Sequence, residues 1–114
     1  MILQKFKDKL QNNPTNIDFS ETMKVIEVLY EFTPSAFVNG DIKNEVGQNQ
    51  GSCKVFSFAI KEGLTKEETL ACFGQYYFKD VLENPEGNDH QNIRNFIKTG
   101  FEGLSFEKEA LIKK

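Results

Sequence analysis

The chain lacks tryptophan altogether and has one histidine, two cysteines and three prolines among its 114 residues. Each scarcity removes a class of explanation. Cys53 and Cys72 are too few for a disulfide scaffold and fall within apolar helical patterns, so buried reduced thiols are expected. One histidine with scattered carboxylates is a thin donor set, so no metal ion and no cofactor is expected. A basic excess is also missing: the formal net charge is −3, which disfavours nucleic-acid binding. No apolar run approaches the length of a membrane span. The segment Ile2-Leu3-Gln4-Lys5-Phe6-Lys7 alternates charged with apolar residues, unlike an export signal, so a cytoplasmic location without membrane contact is expected.

What the chain does have is phenylalanine. Eleven of them must supply most of the bulky core, in a length that suits one domain over residues 1–114. Apolar spacing predicts a first amphipathic helix from about Ile2 to Gln11, ended by Asn12-Asn13-Pro14. Asp18 with Glu21 three residues on resembles a capping pair, and Phe19, Met23, Ile26 and Tyr30 then recur at helical spacing, with Val25, Val28, Leu29 and Phe32 broadening the face. Pro34 restricts Thr33 and stops this second helix there. Ala36 to Lys43, centred on Asn39-Gly40, predicts a tight β-hairpin. A third helix follows from about Ser52 to Glu62, ended by Gly63 as its left-handed C-terminal residue. Its apolar residues Val55, Phe56, Phe58, Ala59 and Ile60 occupy several faces, which predicts a central position between other helices.

Thr65 and Glu68 form a capping box for a helix through Leu70, Phe73, Tyr77 and Val81, with Gly74 marking a kink, a close crossing or a break. Asn84-Pro85-Glu86-Gly87 is a turn, and Asn88 or Asp89 is expected to cap a last helix closed by Gly100, with Phe101 packed back on Phe96. After Leu104 the alternation in Leu104, Phe106 and the later Leu111 and Ile112 is ambiguous, and the structure of the tail stays open. The expected fold class is therefore mainly α, a small helical domain with a short hairpin around residues 36–43, with α+β as the alternative.

The most polar stretch is Val46 to Lys54, where glycines, amides and a hydroxyl run straight into the central helix. A phosphate loop needs G-x-x-x-x-G-K-[ST], and here the glycines are one residue too close and Ser52 and Lys54 come in the wrong order. Two readings of the stretch remain. Its amides cap the helix and lace the hairpin to the core, or they offer donors to an anion at a helix start. A second polar concentration spans Gly87 to Asn95, where Arg94 is suited to a carboxylate or phosphate. The candidate ligand-binding residues are Asn39, Gln48, Asn49, Gln50, Ser52, Asp89, His90, Asn92 and Arg94. A competing constellation is catalytic: Cys53 near a helix N-terminus as nucleophile, His90 as its base and Asp89 orienting the imidazole, in the manner of a small hydrolase or transferase. Tyr76, Tyr77 and Phe78 are placed to line a pocket or a core rim.

The segments FTPSAFVNG (Phe32 to Gly40), GQNQGSCKVFSFA (Gly47 to Ala59), GLTKEETLACFGQYY (Gly63 to Tyr77) and NPEGNDHQNIRNF (Asn84 to Phe96) resemble the HopJ type III effector family of bacterial proteins. The resemblance is collinear and covers nearly the whole chain. It implies a small bacterial protein, with secretion by a type III system as the alternative to a cytoplasmic location. It supplies no activity. The leading expectation is a non-enzymatic binding or interaction module for a protein or a small anionic ligand.

Overall fold

The computed structural model describes residues 2–114; Met1, the first residue of the expected domain, lies outside them. Ile2–Asn12 form helix α1, which turns Phe6 and Leu10 inward as the spacing predicts. Helix α2 is Phe19–Leu29, and Asp18 caps it by accepting the Ser20 N–H at 2.9 Å. Glu21 does not complete that cap; it pairs with Lys9 at 2.9 Å and so ties α2 to α1. The helix also ends before Thr33. Tyr30–Phe32 leave it as strand β1, because the far end of the chain offers a partner: Leu111–Lys113 pairs antiparallel with it, Phe32 opposite Leu111. Aromatic residues suit a paired strand, and the ladder overrides their helical spacing.

The hairpin forms as expected, with β2 at Phe37–Asn39 and β3 at Ile42–Asn44, and Gly40 takes the positive φ of 63° that its turn demands. The tail left open by its ambiguous alternation supplies two strands. Its first, β4 at Leu104–Phe106, pairs with the other edge of β2, giving a sheet in the order β3-β2-β4, and its second, β5 at Leu111–Lys113, is the partner of β1. With helix at 57% and strand at 13%, the α+β alternative describes the fold better than mainly α.

Helix α3, Gln50–Glu62, runs through the centre, and Val55, Phe56, Phe58 and Ala59 have no exposed surface. Phe56 meets Phe37, Phe73 and Phe96 with ring centroids at 6.1, 5.5 and 4.9 Å. Phe58 meets Phe6 and Tyr30 edge-on. Such pairs contribute about 0.5–1.5 kcal/mol each beyond their burial, so this aromatic lattice replaces the missing tryptophan. Ile60 departs from the prediction: it is 52% exposed.

The capping box at Thr65 and Glu68 opens helix α4, Lys66–Ala71. Gly74 then breaks the helix instead of bending it. Its φ is 58°, and a Cβ there would lie 2.6 Å from the Phe19 nitrogen and 2.7 Å from the Ile17 oxygen, so only glycine lets the chain cross the start of α2. Tyr76–Val81 continue as a π-helical segment. After the turn closed by the Gly87 N–H on the Asn84 carbonyl at 2.9 Å comes helix α5, Gln91–Thr99, which ends at Gly100 with Phe101 edge-on to Phe96 at 5.2 Å.

Candidate functional site

Helices α3 and α5 begin in the same unusual way. The residues preceding them, Asn49 and His90, are the non-glycine residues of positive φ among the described chain, at 50° and 47°. Neither side chain caps its helix. A capping side chain needs extended backbone to reach the N–H groups of the first turn, and the left-handed conformation denies it that reach. The expected capping of α3 by its amides, and of α5 by Asn88 or Asp89, is thereby corrected.

The amides are used elsewhere. The Gln48 Oε1 accepts the Glu45 N–H at 2.9 Å, and the Gln50 Nε2 donates to the Gly47 carbonyl at 3.3 Å, so both fold the loop onto itself. Asn49 donates to Asn44 Oδ1 at 2.6 Å. Asn44 belongs to a buried network in which Asn92 Nδ2 donates to Asn44 Oδ1 at 3.0 Å, and Asn39 Nδ2 donates to the Asn92 carbonyl at 2.8 Å. Asn95 Nδ2 reaches the Asn39 carbonyl at 2.6 Å. These bonds lash the hairpin to α5, and through Asn49 they fix where the two helix starts meet.

They meet at a cleft of about 450 Å³. Asn49, Gly51 and Ser52 line it from α3, and His90, Gln91, Asn92 and Ile93 from α5. Phe19, Ile42, Phe73 and Tyr76 form its apolar wall. The first-turn N–H groups of a helix have no intrahelical acceptors and carry the positive end of the helix dipole, so two such turns around one cleft favour negative charge there. Of the candidate ligand residues, Asn49, Ser52, His90 and Asn92 come together in this lining. Asn39 lies buried behind it in the amide network, with its Oδ1 unpartnered. Gln48, Gln50, Asp89 and Arg94 do not line it.

Arg94 has another task. Its guanidinium donates to Asp89 Oδ1 at 2.5 Å and to the carbonyls of Asp89, Asn84 and Asp80 at 2.6, 2.8 and 3.4 Å, which binds the whole turn before α5 to the π-helical segment. The same guanidinium holds the Asp89 carboxyl below its ordinary pKa. With its donors so engaged, Arg94 is not an anion receptor. His90 stands beside this turn, its Nε2 at 2.9 Å from Asp80 Oδ2 and 4.0 Å from Asp89 Oδ2, with the Tyr76 ring stacked on the imidazole at 5.1 Å. Asp80 was not a candidate, since its spacing from His90 matches no motif; only the break at Gly74 and the turn at Asn84 to Gly87 bring it back. Tyr76 was named as an aromatic, without its partner. Tyr77 and Phe78 pack on each other at 4.9 Å away from the cleft lining.

The cysteine constellation is not assembled. Cys53 is 1% exposed, its thiol donates to the Ser35 carbonyl at 3.7 Å, and burial pushes its pKa up, opposite to what a nucleophile requires. It does not line the cleft that holds His90, because the helical turn that exposes Ser52 carries the next side chain into the core. Cys72 is buried as well. No hydroxyl or thiol among the described residues is hydrogen-bonded to the His90 imidazole.

Fold and site together define a small α+β protein with a cleft between two helix starts, in which no helix of the described residues is long and apolar enough to cross a membrane. The chain belongs to the HopJ type III effector protein family, which it matches over residues 3–111. It is similar to VPA0580, a protein of unknown function whose crystal structure aligns with a TM-score of 0.97 at 55% identity, over 100% of this chain and 95% of that one. A search of curated proteins gives no match.

Proposed function

We propose that this HopJ-family protein is a small binding module whose cleft between α3 and α5 takes a small anionic group, a phosphate or a carboxylate carried by a metabolite or a partner. One observation carries the proposal: two helix N-termini, neither capped by a side chain, line the same cleft. By contrast, α2 and α4 are capped from within, by Asp18 and by Thr65 with Glu68. Two α-helix starts without a side-chain cap, facing one cleft, are best explained by a ligand that completes them. A binding role is favoured over cysteine catalysis because the buried Cys53 thiol is not available to His90. The proposed location is the cytoplasm of the producing cell, with delivery by a type III system as the alternative carried by the family description.

A thermal-shift series with inorganic phosphate, sulfate and small mono- and dicarboxylates tests the site. One class should raise the melting temperature saturably, and Ser52→Asp, which places a fixed negative charge at the cleft, should abolish the rise. The proposal fails if no anion stabilises the protein, or if the response survives Ser52→Asp unchanged.

A further inference from the structure

The geometry points to a divalent metal site at the edge of the cleft, formed by His90 Nε2 and one carboxylate oxygen each of Asp80 and Asp89. The three donor atoms lie within 4.8 Å of one another. Bonds of about 2.1 Å to a zinc-like ion place two donors roughly 2.9 Å apart at a right angle and roughly 4.2 Å apart when opposite. His90 Nε2 lies 2.9 Å from Asp80 Oδ2 and 4.0 Å from Asp89 Oδ2, both inside that window. One imidazole nitrogen with two carboxylates is a donor set for first-row divalent ions such as zinc, cobalt or manganese.

The surroundings hold these donors in place. Arg94 grips Asp89 through Oδ1 and leaves Oδ2 on the His90 side, while its remaining donors tie down the carbonyls of Asp80, Asn84 and Asp89. The arginine lies close to the backbone at Gly87, where a Cβ would come within 2.6 Å of Arg94 Nη2. Tyr76 stacked on the imidazole restricts its rotation. Metal-ligating residues are commonly oriented in this way by their neighbours. Charge is also suited: two carboxylates against one guanidinium, with the ligating imidazole neutral, leave a net negative charge for a dication to meet. The Asp80 and Asp89 side chains are 45% and 58% exposed, so water has access to the remaining coordination positions. The site shares His90 with the cleft lining, but its other donors, Asp80 and Asp89, lie outside that lining and its ligand is a cation, so it is tested separately from the anion proposal.

His90 is the only histidine, so its imidazole gives a single, self-assigned set of nitrogen signals. Chelator-treated protein titrated with zinc alone should show a change at Nε2 that saturates at one equivalent and reverses with EDTA. Asp80→Asn, which keeps a hydrogen-bonding partner for the ring, and Asp89→Asn should each weaken zinc binding by tenfold or more, with amide spectra of the metal-free variants confirming the fold. Cys53→Ser should leave binding unchanged. An imidazole unmoved by excess zinc overturns the site, and so does binding that persists in both aspartate variants, which would mark a lone surface histidine. Phosphate titrated in the presence of EDTA tests the anion cleft separately.

Discussion

Helix α4 starts at Thr65, in extended conformation, whose hydroxyl accepts the Glu68 N–H at 3.1 Å while the Glu68 carboxylate accepts the Thr65 N–H at 2.9 Å. Helix α5 starts at His90, in left-handed conformation, whose side chain turns instead to Asp80 and Tyr76. The first arrangement satisfies two of the donors at the helix start from within its own four residues. The second gives up the cap, holds a strained backbone angle and frees an imidazole and a turn of N–H groups at a cleft. Strain of this kind costs about 1–3 kcal/mol and persists where surrounding structure imposes it. Here the imposing structure is the asparagine network behind the cleft and the arginine that clamps the turn.

The largest effect should come from disturbing the self-capped side at its closest approach. Gly74→Ala forces a methyl onto the backbone at the start of α2 and a non-glycine residue into positive φ, and it should cost about 3 kcal/mol in a urea denaturation. Next is the support of the open side. Asn92→Ala removes the side-chain amide whose Oδ1 accepts from Asn39 Nδ2 at 3.0 Å and whose Nδ2 donates to Asn44 Oδ1 at 3.0 Å, leaves only its backbone carbonyl for Asn39, and should cost about 2 kcal/mol by the same measurement.

The comparison itself is sharpened by a pair of variants at the two helix starts. Thr65→Ala should lose about 1 kcal/mol, the worth of a cap. His90→Gly relieves the left-handed strain while losing a part-exposed pair, so its change in stability should stay below about 1 kcal/mol, while zinc binding disappears. Equal losses at the two positions would break the distinction between a capped and an open start.

The smallest effect is in acid. Hydrogen bonds from the Ser20 hydroxyl and N–H lower the Asp18 pKa below the ordinary carboxylate value of 3.8. A depressed carboxylate contributes stability that is present above its unfolded pKa and lost as pH falls through its folded value. The Ser20 amide should therefore shift in NMR spectra as pH drops below 3.8, whereas the Gly51 amide, at a helix start with no ionisable cap, should not follow that titration.

How much of this could be read in advance differs from element to element. The first helix, the hairpin at Asn39-Gly40, the Thr65 capping box and Gly63, which ends α3 at a φ of 66°, are all local: a few neighbouring residues specify each, and each forms as its spacing predicts. Strand β1 was misread as helix because Tyr30 and Phe32 suit either period, and the deciding partner lies some eighty residues away at Leu111–Lys113. The tail was illegible for the reciprocal reason. At the site, His90, Asn49, Ser52 and Asn92 were legible as polar residues at helix starts, but their convergence was not. Arg94 was legible as a charge, but its commitment to carbonyls at Asp80, Asn84 and Asp89 depends on a turn whose shape no spacing rule encodes.

By itself, then, the sequence determined the first helix, the Asn39-Gly40 turn, the Asp18 and Thr65 caps and the helix-ending Gly63, because these depend on interactions within a turn or two of chain. Tertiary structure alone decided that the stretch from Val46 to Lys54 would leave its helix start open, that Asp80 would stand against His90, and that Cys53 would be buried away from both. Those outcomes depend on which distant elements pack together, and the free energy of that packing is shared across the whole phenylalanine core.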